Sequence, residues 1–293
     1  MMLAAVQSGE APNVPALVCQ TVLAIGGVAA LVWIIRRARR EAPTGVEPWR
    51  ASLLDFGIWV WLIGFAYYIG ITLLRFFYPA VTAQPAKGEN ILLLGCVMQL
   101  SVLGAQLGLI RSKRSFSPVP VNRVSLPARR VVGEGALAFL ATFPIIMVTS
   151  LAWQYFLKLV QGLWTTLETP VQEPVSILAH SSSLTEKLLV IVFAVLIAPV
   201  AEELFFRAGV YRFLKSRLPA VAALGVASFL FALFHFNLGS FLPLFVLGTA
   251  LAKLYERTGN IASPIVLHLL FNLVQILLMF LFPDSTVTAQ PSP

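Results

Sequence analysis

Charged side chains are scarce in this sequence. Asp, Glu, Lys and Arg make up 12% of the 293 residues, against roughly 25% in soluble domains. Hydrophobic residues make up 58%, and many of them fall in long runs. This composition excludes an ordinary soluble domain and predicts an integral membrane protein.

Acidic residues are the scarcer charged type, with 13 Asp and Glu against 21 Lys and Arg, so the net charge is +8. A basic excess is also found in nucleic-acid-binding proteins. Here the basic residues fall in short clusters between apolar runs, as in Arg36, Arg37, Arg39 and Arg40. Such clusters are typical of cytoplasmic loops and of contacts with anionic lipid. We therefore expect the lipid bilayer, and no nucleic acid, to explain the charge.

The sequence lacks several other features. Its two cysteines, Cys19 and Cys96, lie in apolar runs, where a thiol is more often a packing residue than a disulfide partner or a metal ligand. No Lys or Arg precedes Arg36, so the first apolar run lacks the basic region of a cleavable signal peptide and is expected to be a retained span. No internal repeat is present, whereas transporters often consist of two matching halves.

Eight apolar runs predict an all-α polytopic transmembrane helical bundle with about eight membrane segments. The runs are Pro15–Ile35, Leu53–Leu74, Ile91–Ile110, Gly135–Leu157, Leu188–Val200, Ala220–Phe236, Phe241–Leu251 and Ile261–Phe282. The seventh is short for a full crossing. The fifth should begin at the capping-box pair Ser183 and Glu186, and Pro199 should bend or loosen it.

The runs and the stretches between them suggest a division of the chain. We expect an N-terminal tail (1–14), accessory transmembrane helices 1–3 (15–110), a basic cytoplasmic linker (111–130), a core (131–283) and a C-terminal tail (284–293). Within the core, a polar loop over 158–186 separates the fourth and fifth segments.

The basic residues also predict the orientation of the spans. Of the 21 Lys and Arg residues, 17 lie in or beside the loops after the first, third, fifth and seventh spans. The other four are Arg75, Lys87, Lys158 and Lys187. Because cytoplasmic loops carry the basic excess, we expect both termini to be non-cytoplasmic. The first two motif residues described next, Glu202 and Glu203, would then lie near the cytoplasmic end of their helix.

Few polar residues interrupt the apolar segments, and burying a charge in a membrane is costly. The first exception is Glu202-Glu203-Leu204-Phe205-Phe206-Arg207. In a helix, Glu203 and Arg207 stand four residues apart in the order that favours an ion pair. Glu202 points about 100° away and is not paired by that arginine. Alternatively, the charges lie at the membrane–water boundary and cap a helix.

Two further polar sites contain histidine. His235 follows Phe231 by four residues at the end of the sixth segment, and His268 precedes Asn272 by four residues on one face of the eighth. A lone histidine is usually a satisfied core residue, and a His/Asn pair can simply join two helices. Because lipid accepts none of these groups, we expect them to meet Glu202, Glu203 and Arg207 in a buried polar cavity. The third histidine, His180, lies in the polar loop and is expected to be solvated.

These residue types suit the hydrolysis of an amide. A carboxylate such as Glu202, with a histidine, can deprotonate a water, while a histidine N–H and an asparagine amide can donate to the oxygen of a tetrahedral intermediate. A catalytic zinc bound by Glu202, His235 and His268 is an alternative, although no His-Glu-x-x-His helix supports it. Ser228 and Ser263 remain open as nucleophiles.

The three motifs, in this order, resemble the CPBP family of intramembrane proteases, which includes type 2 CAAX prenyl endopeptidases and bacterial proteins tied to bacteriocin processing or immunity. The motifs are Glu202-Glu203-x-x-x-Arg207, Phe231-x-x-x-His235 and His268-x-x-x-Asn272, and the stretch 255–260 is also similar. The similarity covers 188–272, which would make 131–283 a CPBP-like protease core. Members often have glycine where this chain has Ala208, which is followed by Gly209.

The resemblance implies a glutamate-dependent endopeptidase that needs no metal for its chemistry. By this resemblance Glu202 activates water with help from His235, and Glu203 and Arg207 form a supporting ion pair. No cofactor is expected, with zinc as the alternative.

The oxyanion-binding pair implied by the resemblance is His268 and Asn272. The expected substrate is a peptide, or the C-terminal tail of a membrane-associated or lipidated protein, reached from the cytoplasmic side. The expected location is a bacterial inner (plasma) membrane. Two other classes stay open: a non-catalytic immunity or scaffold protein that keeps the cavity for binding, and a transporter that uses the carboxylates as proton relays.

Overall fold

The computed structural model describes residues 14–38, 43–83, 88–111, 125–163, 178 and 183–281. Eight main helices lie in these ranges: α1 Val14–Ala38, α2 Leu53–Phe77, α3 Gly88–Arg111, α4 Ala128–Leu163, α5 Leu184–Lys215, α6 Ala220–Leu233, α7 Phe241–Thr258 and α8 Ala262–Leu281. No strand occurs in the described ranges, so the predicted all-α class is confirmed. The predicted tails, most of the linker 111–130 and His180 lie outside the described residues.

Six of these helices are long and apolar enough to cross a membrane, and the two shorter apolar helices are Leu92–Gln106, within α3, and Ala220–Leu233. The chain is therefore a multi-pass membrane protein. The seventh helix is longer than the apolar run that predicted it. α7 continues to Thr258, and Gly259, with a φ of 60°, caps its C-terminus. Charged residues in the last turns of α7 end the apolar pattern, but they do not end the helix.

α5 is a continuous helical run with a loosened backbone. It begins at Leu184, where the Ser183 side chain accepts a hydrogen bond from the Glu186 N–H, as predicted. The backbone is π-helical over Phe193–Ile197 and again over Leu204–Tyr211, on either side of Pro199. Proline cannot donate a helical hydrogen bond, so the loosening predicted at this residue has a direct cause.

α5 lies at the centre of the bundle and contacts α3, α6, α7 and α8, while α1 packs on α4 and α2 packs on α3. One buried apolar cluster joins α4, α5, α6, α7 and α8. A second joins the segment before α2 to α2, α3 and α5, and includes Trp59, Val102 and Ala201. Glu202 and Glu203 lie in the inner part of the run Leu184–Lys215, which continues beyond them into a basic end.

The segment 43–52, between α1 and α2, is tied to the ends of α5 and α7. The Gly45 N–H donates to the Glu256 carbonyl (2.8 Å) and the Trp49 N–H donates to the Arg212 carbonyl (2.9 Å). Arg37 on α1 pairs with Glu134 on α4 (2.6 Å). Three of the four regions that the basic residues assign to one side of the membrane, 36–50, 207–217 and 253–257, therefore lie together at one end of the bundle, beside the start of α4.

Gly209 allows a close approach between α2 and α5. A Cβ added there would lie 2.4 Å from the indole of Trp59, a side chain that is fully buried. We expect Gly209→Leu to displace Trp59 and destabilise the protein by about 1–3 kcal/mol, the usual cost of overpacking. Thermal unfolding in detergent measures this loss. Gly64→Leu on α2, where an added Cβ meets no atom within 4 Å, is the control; equal unfolding temperatures for the two variants would contradict the contact.

Candidate functional site

The three motifs converge on the inner part of α5. Glu202 Oε2 lies 3.8 Å from His235 Nε2, in the turn after α6, and 3.8 Å from His268 Nε2 on α8. His268 Nδ1 lies 3.0 Å from Glu203 Oε1. The structure therefore brings these two glutamates and two histidines together, as expected for groups that lipid does not accept.

Glu203 and Arg207 form the predicted ion pair. Arg207 Nη1 lies 3.0 Å from Glu203 Oε1, and the exposed fractions of the two side chains are 3% and 0%. Arg207 also donates from Nη2 to the Gly248 carbonyl on α7 (3.2 Å) and lies over the ring of Phe231, 4.3 Å from its centroid. Because both charges are buried inside the bundle, the alternative that they cap a helix at the membrane boundary is wrong for this pair.

Glu202 has a different environment from its neighbour. Its side chain is 18% exposed. Oε1 accepts a hydrogen bond from Gln99 Nε2 on α3, at 3.2 Å. Oε2, the oxygen that faces the two histidines, accepts no hydrogen bond from the described residues. One carboxylate oxygen is thus held by α3, while the other is directed at the two imidazole nitrogens.

The hydrogen bonds of the two histidines define which nitrogen faces Glu202. His235 Nδ1 lies 2.7 Å from the Phe231 carbonyl oxygen, which only accepts, so Nδ1 carries the hydrogen. His268 Nδ1 faces the Glu203 carboxylate in the same way. In both rings Nε2 is the atom directed at Glu202 Oε2, so the two imidazoles approach one carboxylate oxygen from different helices.

Asn272 contacts the backbone of α5. Its Nδ2 donates to the Ala194 carbonyl at 2.8 Å. In this stretch the Ala198 N–H bonds to the Phe193 carbonyl, and residue 199 is proline, so the helix supplies no regular donor to Ala194. Asn272 satisfies that carbonyl with one of its two amide hydrogens, and the second stays available to another acceptor.

The other candidates from the sequence bond within their own helix or have no hydrogen-bond partner among the described residues. The Ser228 hydroxyl donates to the Leu224 carbonyl in its own helix. Ser263 is buried, and its hydroxyl has no hydrogen-bond partner among the described residues. Cys19 and Cys96 are free thiols. In the described part of the chain, no group of three or more His, Cys, Asp or Glu side chains is arranged to hold a metal ion.

Gln99 is the site residue that the motifs do not indicate. It lies on α3, far from Glu202 in sequence, yet its amide contacts the Glu202 carboxylate directly. The available signal was the presence of two glutamines, Gln99 and Gln106, inside an otherwise apolar run.

These features define a multi-pass membrane protein with a buried site of carboxylates and imidazoles on α5, α8 and the turn after α6. The family model described as type II CAAX prenyl endopeptidase Rce1-like matches residues 184–274, a segment that contains all three motifs. The resemblance seen in the motifs is therefore confirmed over residues 184–274. No curated protein and no solved structure matches the chain.

Proposed function

We propose that the protein is an intramembrane endopeptidase that hydrolyses a peptide bond near the C-terminus of a membrane-associated or lipidated protein or peptide. The observation that carries this proposal is the position of Glu202 Oε2, 3.8 Å from the Nε2 atoms of both His235 and His268. The match of this segment to an endopeptidase family supports it. A carboxylate next to an imidazole is a suitable pair for activating water against an amide.

In the proposed reaction Glu202 takes a proton from a water held between Oε2 and His235 Nε2. The water oxygen attacks the peptide carbonyl carbon, and the proton then passes to the leaving amine. Glu203 and Arg207 hold His268 through its Nδ1, which leaves Nε2 as the atom that His268 can present to the substrate. In the form that carries a hydrogen on both ring nitrogens, His268 also donates from Nε2. This N–H and the second amide hydrogen of Asn272 are the proposed donors to the tetrahedral oxyanion.

We further propose that the substrate reaches the site from the cytoplasmic side, that both termini are non-cytoplasmic and that the protein lies in a bacterial inner (plasma) membrane. The supporting observation is that basic residues gather at one end of the bundle. At this end segment 43–52 is bonded to α5 and α7, and Arg37 and Arg257 contact Glu134 on α4. Basic residues concentrate at the cytoplasmic ends of membrane helices.

A panel of C-terminal peptides, each made with and without a farnesyl group, tests the proposed function. Purified protein in detergent is mixed with the panel, and mass spectrometry identifies the products. Cleavage at one bond near the C-terminus is the expected result, and the comparison of paired peptides shows whether the lipid is needed. A protein that cleaves no member of the panel would contradict the proposal.

Metal removal separates the proposed chemistry from the zinc alternative. We expect cleavage to continue at its full rate after treatment with a strong chelator, because the proposed reaction uses only side chains and water. The measurement is the initial rate with and without chelator, with a known zinc protease as the control for metal removal. Loss of cleavage that returns on adding Zn²⁺ would instead favour zinc held by Glu202, His235 and His268.

A further inference from the structure

α3 lies outside the segment that matches the endopeptidase family, yet it supplies two buried amides to α5. Gln99 Nε2 donates to Glu202 Oε1 at 3.2 Å, and Gln106 Nε2 donates to the Leu204 carbonyl at 3.3 Å. The two glutamines are seven residues apart, which places them on one face of the helix. Their exposed fractions are 5% and 1%, and burying an amide is costly unless it is hydrogen-bonded.

Apolar contacts on either side of Gln99 fix its position. A Cβ added at Gly95 would lie 3.2 Å from the ring of Phe193 on α5, so the two helices approach closely one turn before Gln99. Val102, about one turn later, is buried in the cluster that contains Ala201 of α5. The amide of Gln99 is therefore held at Glu202 by packing on both sides.

The hydrogen bond between Gln99 and Glu202 can run in only one direction. An ionised carboxylate only accepts hydrogen bonds, so the glutamine must present its NH₂ group to Glu202 Oε1. Holding Oε1 fixes the rotation of the carboxylate and leaves Oε2 directed at His235 and His268. A hydrogen bond to a charged group is also stronger than one between neutral groups.

We propose that Gln99 is a positioning residue of the hydrolytic site, which orients the Glu202 carboxylate so that Oε2 can activate water. This inference rests on the proposed function. It assigns to α3 a part of the active site that none of the three motifs contains. α3 is then more than a neighbour of the protease core, because it completes the surroundings of the proposed base.

The test is Gln99→Leu, which removes the amide at nearly constant volume. We expect kcat to fall by roughly 10-fold or more, as for the loss of a hydrogen bond to a charged group, with KM almost unchanged because Gln99 does not contact the substrate. The matched control is Gln106→Leu, the same change seven residues along the same face. It removes a bond to a main-chain carbonyl, so it should lower the unfolding temperature and leave kcat of the folded protein close to wild type.

A double-mutant cycle tests the contact without relying on turnover. Gln99→Leu should lower the unfolding temperature of the wild type more than that of Glu202→Ala, because the second protein has no carboxylate to hold. Additive changes would overturn the contact. Wild-type kcat in Gln99→Leu, in a protein whose wild type cleaves peptide, would overturn the positioning role and leave the proposed function intact. Failure of the wild type to cleave any peptide, with a non-additive cycle, would overturn the proposed function and the role of Gln99 with it.

Discussion

Arg207→Ala should lose folded protein and peptide cleavage together. The side chain of Glu203 is 0% exposed, and Arg207 is its main counter-charge at 3.0 Å. Removing one partner leaves a buried charge without compensation, which costs about 3–5 kcal/mol. The substitution also removes a donor from the Gly248 carbonyl and a cation from the ring of Phe231. Thermal unfolding and the yield of monodisperse protein in detergent measure the loss.

A double substitution shows whether the loss of stability in Arg207→Ala comes from the unpaired charge of Glu203. In Glu203→Leu combined with Arg207→Met, both charges are absent, and exchange of a buried ion pair for apolar groups is often nearly neutral. We therefore expect this variant to unfold at a higher temperature than Arg207→Ala, although His268 loses its partner at Nδ1. An unfolding temperature for Arg207→Ala equal to that of wild type would mean that Glu203 does not depend on this arginine.

Glu202→Gln should abolish cleavage and leave the amount of folded protein almost unchanged. The substitution keeps the shape of the side chain and removes the proposed base, and general-base catalysis contributes roughly 10²- to 10⁴-fold to a rate. Glu202 is partly exposed and is not the ion-pair partner of Arg207, and the amide oxygen of a glutamine can still accept the hydrogen bond from Gln99, so little folded protein should be lost. The measurement is the initial rate per folded protein. Glu47→Gln, at an exposed carboxylate in the segment before α2, is the control and should cleave as wild type does.

Polar groups are costly in lipid, and the sequence predicts those parts of the fold that follow from this cost. Runs of apolar residues identify all eight main helices. The few polar residues that interrupt these runs include Glu202, Glu203, Arg207 and the two histidines of the site. The predictions of where the helices begin and end are less accurate. α4 was expected over 135–157 but covers Ala128–Leu163, because a helix continues into polar residues that hydropathy assigns to loops.

Other contacts between distant segments could not be predicted from the sequence. Gln99 looks like an ordinary polar residue in an apolar helix, and only the packing of α3 on α5 brings it to Glu202. The attachment of segment 43–52 to α5 and α7 depends on main-chain hydrogen bonds, which leave no residue pattern. The hydrogen bond from Asn272 to Ala194 likewise depends on the π-helical backbone before Pro199.

The most direct test of the proposed hydrolytic site compares wild type and Glu202→Gln side by side on the peptide panel, at equal concentrations of folded protein. The account predicts that wild type releases a product from at least one peptide and that Glu202→Gln releases none. Normal turnover by Glu202→Gln would remove Glu202 from the mechanism. If wild type cleaves nothing while Glu202→Gln still rescues a deletion phenotype in cells, the site serves binding and the protein is not a peptidase.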